Sequence, residues 1–204
     1  GLIEARHVGN VVIEACEITG SSKNGVSLEG GAGRINRCQV SGAKDAAIYS
    51  VEARGMDISS NTISDCANGG ILVHRWQAAE DGTIISGNRV SRIRAANGGT
   101  GQYGNGINVF RAGNVQISGN QVSDCAFSSI RSNGGNNVQI LGNNCARSGE
   151  TAIYSEFIFE GAVIANNVIQ GAANGISVAN FNEGGRLSVV SGNLVRDLSS
   201  KGPY

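Results

Sequence analysis

Proline is all but missing from this 204-residue chain, which has a single one at Pro203. Aromatic residues make up only 5% of the sequence, and Leu is sparse. A globular enzyme of this length fills its core with more aromatics and punctuates its loops with more prolines. Leucine-rich repeats are excluded because they need Leu at fixed places. No stretch approaches the roughly 18 apolar residues that span a bilayer, so no membrane insertion is expected, and the N-terminus lacks the pattern of a signal peptide. Sixteen basic residues balance sixteen acidic ones, which leaves no net field to attract nucleic acid or an anionic membrane. Neither a C-x-x-C nor a His pair is present to hold zinc, and regularly spaced Asp for calcium is missing, so no metal or other cofactor is expected. No run carries a 3.6-residue apolar period long enough for a helix.

What the chain has instead is 31 Gly, abundant Asn, and short β-branched runs. Such a composition suits thin strands joined by tight turns in which Gly and Asn accept positive φ. One phrase recurs: an aliphatic, two small or polar residues, Asn or Cys, any residue, then an aliphatic. It is read from Ile13 to Ile18, Ile35 to Val40, Ile58 to Ile63, Ile85 to Val90, Ile117 to Val122, Ile140 to Cys145, Val163 to Val168 and Val190 to Val195. A second phrase, a small residue then an aliphatic, follows at Val26, Ile48, Ile71, Ile130, Ile153 and Ile176, with Ile107 delayed by an insertion around Gly98 to Gly106. The spacing predicts an all-β fold of about eight three-strand coils near 23 residues each, every strand pairing in parallel with its equivalent one turn later. Parallel crossovers are overwhelmingly right-handed, so the solenoid is expected to be a right-handed parallel β-helix forming a single domain over residues 1–204.

The fourth position of each phrase reads Cys16, Cys38, Asn61, Asn88, Asn120, Asn143, Asn166 and Asn193. Stacked about 4.8 Å apart, these six Asn are expected to form an internal Asn ladder, because Asn tolerates a sharp corner and carries both donor and acceptor. Stacking also argues against disulfides. Cys66 and Cys125 fall two coils apart, roughly 9.6 Å, and Cys16 with Cys38 would be strained, so five buried free thiols are expected. Leu2 matches the strand that closes a preceding coil, and the last coil stops at Pro203 and Tyr204 where its closing strand is due. Solenoids need polar end caps, so flanking coils or caps are expected beyond this chain or from a partner.

These repeats resemble the pectate-lyase-like superfamily of right-handed parallel β-helices. The phrases Ile117-Ser-Gly-Asn120 and Gly175-Ile-Ser-Val178 resemble those of an uncharacterised bacterial repeat family exported by the twin-arginine route. The resemblance implies a periplasmic or secreted protein and a polysaccharide partner. Its known catalytic motifs are not matched: Asn61-Thr62 is followed by Ile63, neither His lies between glycines, and Asp-Pro-His is absent. Arg92-Ile93-Arg94 resembles the Arg-Ile-Lys of galacturonases, but Ile93 falls in the repeat frame and reads as an ordinary coil residue.

Insertions at His74 to Gly82, Ala95 to Gly106 and Ala179 to Arg186 flank the strand that begins at Ile71, Ile107 or Ile176. Loops on a rigid scaffold carry function. With each Ile inward, Tyr49, Leu72, Asn108, Arg131 and Tyr154 point out on successive coils, followed two residues on by Val51, His74, Phe110, Asn133 and Glu156. Arg75 and Arg111 come next, and Trp76 and Tyr103 can wall the cleft. The leading expectation is a polysaccharide-binding β-helix of the bacterial envelope, with Tyr49, Arg75, Trp76, Tyr103, Asn108, Arg111 and Glu156 as binding residues. The alternative is a lyase acting on uronic-acid glycans, in which a cation such as Arg131 neutralises the carboxylate and Tyr154 or His74 takes the C5 proton. A purely structural solenoid is the third reading. Hydrolysis ranks lower because Glu156 shows no acidic partner on that face.

Overall fold

A three- or four-residue strand cannot stand alone, but identical short strands stacked coil on coil share one continuous ladder. The computed structural model shows this arrangement, and it describes residues 1–179 and 183–199. The end at Pro203 and Tyr204 and the middle of the third insertion lie outside the described residues. All described secondary structure is strand, and all strand pairs in the two sheets are parallel. Among the described residues, no helix is long and apolar enough to cross a membrane.

One sheet stacks eight strands, from Val11–Glu14 to Arg186–Ser191. Its inward column runs Ile13, Ile35, Ile58, Ile85, Ile117, Ile140, Ile164 and Val190. The second column runs Ile18, Val40, Ile63, Val90, Val122, Cys145, Ile169 and Val195. The third runs Ile3, Val26, Ile48, Ile71, Ile107, Ile130, Ile153 and Ile176. All but Val190 and Val195, which are exposed on the last coil, join one apolar core along the axis. Burying each of these aliphatics contributes about 2 kcal/mol, so no aromatic is needed at the centre of so narrow a coil.

Two expectations shift by one residue. Ile3, rather than the exposed Leu2, takes the inward place opposite Val26. In the seventh coil the phrase is Ile164 to Ile169, and Asn167, not Asn166, occupies the corner. The reason lies in the backbone. Ala15, Arg37, Ser60, Gly87, Gly119, Gly142, Asn166 and Gly192 all have positive φ, each immediately before the corner residue of its coil. Asn166 therefore does what Gly does elsewhere, because Asn tolerates the left-handed conformation. Behind it, Asn61, Asn88, Asn120, Asn143, Asn167 and Asn193 hydrogen-bond in series. Each amide oxygen from Asn88 onward accepts the main-chain and side-chain N–H of the Asn one coil below, at 2.9 to 3.0 Å.

All five cysteines are free, as the stacking predicts, although Cys16 is only half-buried. Burial pushes the Cys145 thiol up to about 12, so it packs as a small hydrophobe. Ile93 is buried in register with Cys125 while Arg92 pairs outside with Asp65 at 2.7 Å, so the Arg92-Ile93-Arg94 triplet is an ordinary piece of coil.

Candidate functional site

Strand alternation turns one set of side chains of the third column outward. Tyr49, Leu72, Asn108, Arg131 and Tyr154 stand in register on successive coils, and so do Val51, His74, Phe110, Asn133 and Glu156. A groove of about 690 Å³ lies over this face. His74, Asn108, Phe110, Arg131, Asn133, Tyr154 and Glu156 line it, with Thr100, Gly101 and Gln102 from the second insertion on one side and Glu150, Thr151, Phe157, Asn174 and Ser177 on the other.

Arg131 is its centre. The guanidinium is 9% exposed, donates from Nε to Glu156 Oε1 at 2.6 Å and from Nη2 at 2.5 Å, and lies 5.4 Å from the centroid of the Tyr154 ring. Asn133 Nδ2 donates to the same Glu156 oxygen at 2.9 Å. The second insertion closes over this pair: Gly101 has φ +117, and a Cβ there would collide with Nη1 of Arg131. Only Gly permits that approach. The loop is itself pinned by Asn105 Nδ2 donating to the Gly101 carbonyl and by the main-chain bond from Gly104 N to the Asn68 carbonyl.

Three polar atoms on this face have no hydrogen-bond partner within the protein: Arg131 Nη1, Asn108 Oδ1 and His74 Nε2. Buried polar atoms are nearly always satisfied, so such a cluster marks a place where something else completes the bonding.

The structure contains an acidic group that the sequence reading passed over. Glu150 is 5% exposed, lines the groove and accepts a hydrogen bond from Ser128 Oγ at 3.2 Å. Burial raises its pKa above the usual carboxylate value, and Glu156 pushes the same way, while Arg131 and the Ser128 hydroxyl oppose. Glu156 therefore does have an acidic neighbour, contrary to expectation.

Other residues fall less neatly. Tyr49, Trp76 and Tyr103 are not in the central groove but around an adjoining hollow of about 380 Å³, which shares His74 and Gln102 with it. Trp76 is 57% exposed there. Arg75 turns away from both, with Nη2 2.8 Å from Glu52 and Nη1 on the Ala53 carbonyl and 3.7 Å from Asp81. Arg111 donates to the Trp76 carbonyl at 2.7 Å and stacks on Phe110 at 4.7 Å, so it tethers the first insertion and does not line the groove. Burial raises the pKa of the Tyr154 phenol, with Glu156 and Glu150 adding to it, so the phenol keeps its proton at neutral pH.

His74 sits edge-on between Tyr49 at 5.4 Å and Phe110 at 5.6 Å, and burial lowers its pKa from 6.5 to about 4. As pH falls, the unfolded chain takes up this proton near 6.5 and the folded chain only near 4. Stability present above pH 6.5 is thus lost between those values, by about 3 kcal/mol in full. We expect His74→Phe to abolish that loss. Denaturant unfolding at pH 7.5 and 4.5 checks it: the wild type should fall by about 2 kcal/mol more than the variant, and equal falls would refute the assignment.

Comparison with known proteins agrees with this architecture. The description "Right handed beta helix region" matches residues 1–101. No curated protein sequence matches the chain. Among solved structures, the A-module of the mannuronan C-5 epimerase AlgE4 of Azotobacter vinelandii is similar with a TM-score of 0.78 and 13% identity, over 97% of this chain and 57% of that one. A periplasmic alginate epimerase AlgG carrying T265N gives 0.63 and 15%, over 87% and 44%. A GH87 alpha-1,3-glucanase of Streptomyces thermodiastaticus strain HF3-3 gives 0.51 and 15%, over 96% and 48%. The chain thus spans about half the length of the structures it matches. With coil stacking, inward columns and these likenesses in agreement, the chain has the fold of a right-handed parallel β-helix.

Proposed function

We propose that the groove binds a polysaccharide lying across the coils. The observation that carries this reading is the cluster of unpartnered polar atoms at Arg131, Asn108 and His74 between aromatic walls. Sugar hydroxyls both donate and accept, which suits such a mixed set, and Phe110, Tyr154 and Phe157 offer ring faces to the apolar faces of the sugar. The adjoining hollow with Tyr49, Trp76 and Tyr103 extends the surface to further residues of the same chain. Matched proteins whose titles name alginate epimerases and a glucanase support a glycan as the ligand class, and a periplasmic relative in fold supports a place in the bacterial envelope.

Binding to a panel of neutral and acidic glycans by affinity electrophoresis tests this. Phe110→Ala should weaken binding at least tenfold, about 1.4 kcal/mol, without lowering the melting temperature by more than a few degrees. Absence of binding to every glycan would leave the purely structural reading.

A lyase reading retains one supporting observation, the contact between Arg131 and Tyr154. Against it stand the commitment of Arg131 Nε and Nη2 to Glu156 and the phenol's retained proton. Unsaturated, ultraviolet-absorbing products from an acidic glycan would favour it.

A further inference from the structure

We infer that Glu150 and Glu156 are the proton donor and the water-activating carboxylate of a hydrolytic site for a neutral polysaccharide. This rests on the glycan-binding reading of the same groove and adds a reaction and a substrate class to it.

The two carboxyls share one hollow but not one environment. Glu156 is 2% exposed and is held by Arg131 and Asn133. Both donors converge on the same oxygen, Glu156 Oε1. Glu150 has the Ser128 hydroxyl instead, and burial raises its pKa, with the Arg131 charge and that hydroxyl opposing and Glu156 adding to the rise. A buried carboxyl hydrogen-bonded to a hydroxyl and, in the same groove, a second carboxyl held by a guanidinium and an amide form a pair of the kind that general acid and base catalysis of glycoside cleavage uses. The cluster does not stand on acidity alone. Asn108, 7% exposed, presents an unpartnered amide oxygen to the same groove, which points to an occupant there.

The charge balance selects the substrate. Two carboxyls face one guanidinium, and the imidazole of His74 is uncharged at neutral pH. With Glu150 carrying the proton it donates, Arg131 is balanced by Glu156, so a uronate would add a negative charge with no cation left to pair it, whereas a neutral glycan adds none.

The step balances as follows. The proton of Glu150 passes to the glycosidic oxygen while the bond from the anomeric carbon to that oxygen breaks, and the bonding electron pair leaves with the oxygen. A water oxygen forms the new bond to the anomeric carbon and gives its proton to Glu156. One water is consumed and one reducing end appears, and proton exchange with solvent restores both groups.

The experiment incubates the full chain with linear neutral glucans, xylan and mannan, and reads reducing ends, ultraviolet absorbance and binding together. Expected are reducing ends without ultraviolet-absorbing product, and a fall of at least 100-fold in kcat for Glu150→Gln with binding changed less than threefold. The alkaline limb of the wild-type pH profile should shift to higher pH in Ser128→Ala, which removes a donor to Glu150, and this readout does not depend on the Gln variant folding. Binding of a neutral glycan with no cleavage overturns the inference and leaves the binding reading intact. Cleavage unaffected by Glu150→Gln overturns it as well. Binding of no glycan at all overturns both.

Discussion

Arg131→Ala is expected to destabilise the protein by about 3–5 kcal/mol and to abolish glycan binding. The pair it breaks is enclosed, since Arg131 is 9% and Glu156 2% exposed, and Gly101 of the second insertion lies directly on the guanidinium. Removing one partner of a buried ion pair leaves the other charge without compensation. Glu156 would keep Asn133 and the Tyr154 phenol, but no cation, as donors. The magnitude separates this reading from that of a solvated surface pair, which contributes well under about 1 kcal/mol. Urea unfolding of Arg131→Ala, Glu156→Gln and the double variant gives the coupling directly. If the double variant recovers little of the loss seen in Arg131→Ala, or if the single variant costs under about 1 kcal/mol, the pair is not the keystone of the groove.

The parts of the fold that could be read in the sequence are those that repeat. Inward aliphatics at one period, with Gly or Asn in the turn before them, leave one stacking register, and the stripe from Tyr49 to Tyr154 follows from strand alternation alone. Misreadings occur where a local irregularity breaks that logic. Val163-Ile164-Ala165-Asn166-Asn167-Val168-Ile169 satisfies the phrase in two frames one residue apart, because both frames have aliphatic ends and an Asn between. The backbone decides for the second, since Asn166 fills the positive-φ turn site.

Glu150 went unread for a related reason. It precedes the inward Ile153, and the register irregularity between Ser148 and Thr151 turns it into the groove, an event with no periodic signature. Arg75 and Arg111 follow an outward stripe in sequence, yet the register shift between His74 and Ala79 points them at Glu52 and at the Trp76 carbonyl. Where a Gly-rich insertion such as Asn97 to Gly101 folds is decided by what it meets, here Arg131, and its own sequence carries little trace of that.

Asn120→Ala is the second large effect expected, and it tests the corner rather than the groove. Asn120 Oδ1 accepts from Asn88 N at 2.9 Å and Asn88 Nδ2 at 3.0 Å, while its Nδ2 donates to the Ile85 carbonyl and to Asn143 Oδ1. Alanine leaves the two Asn88 N–H groups and the Ile85 carbonyl unpaired where water does not reach, each costing about 1–3 kcal/mol, so a loss of about 4 kcal/mol is expected. Asn166→Gly is the matched control. Asn166 has φ 59 in a turn where Gly87, Gly119, Gly142 and Gly192 serve equally, so that change should move stability by less than about 1 kcal/mol. Urea midpoints of the two variants decide the matter. Comparable losses at Asn120 and Asn166 would mean that the corner column is not what holds successive coils in register, whereas a large loss at Asn120 alone ties the stability of the solenoid to a single file of amides running from Asn61 to Asn193.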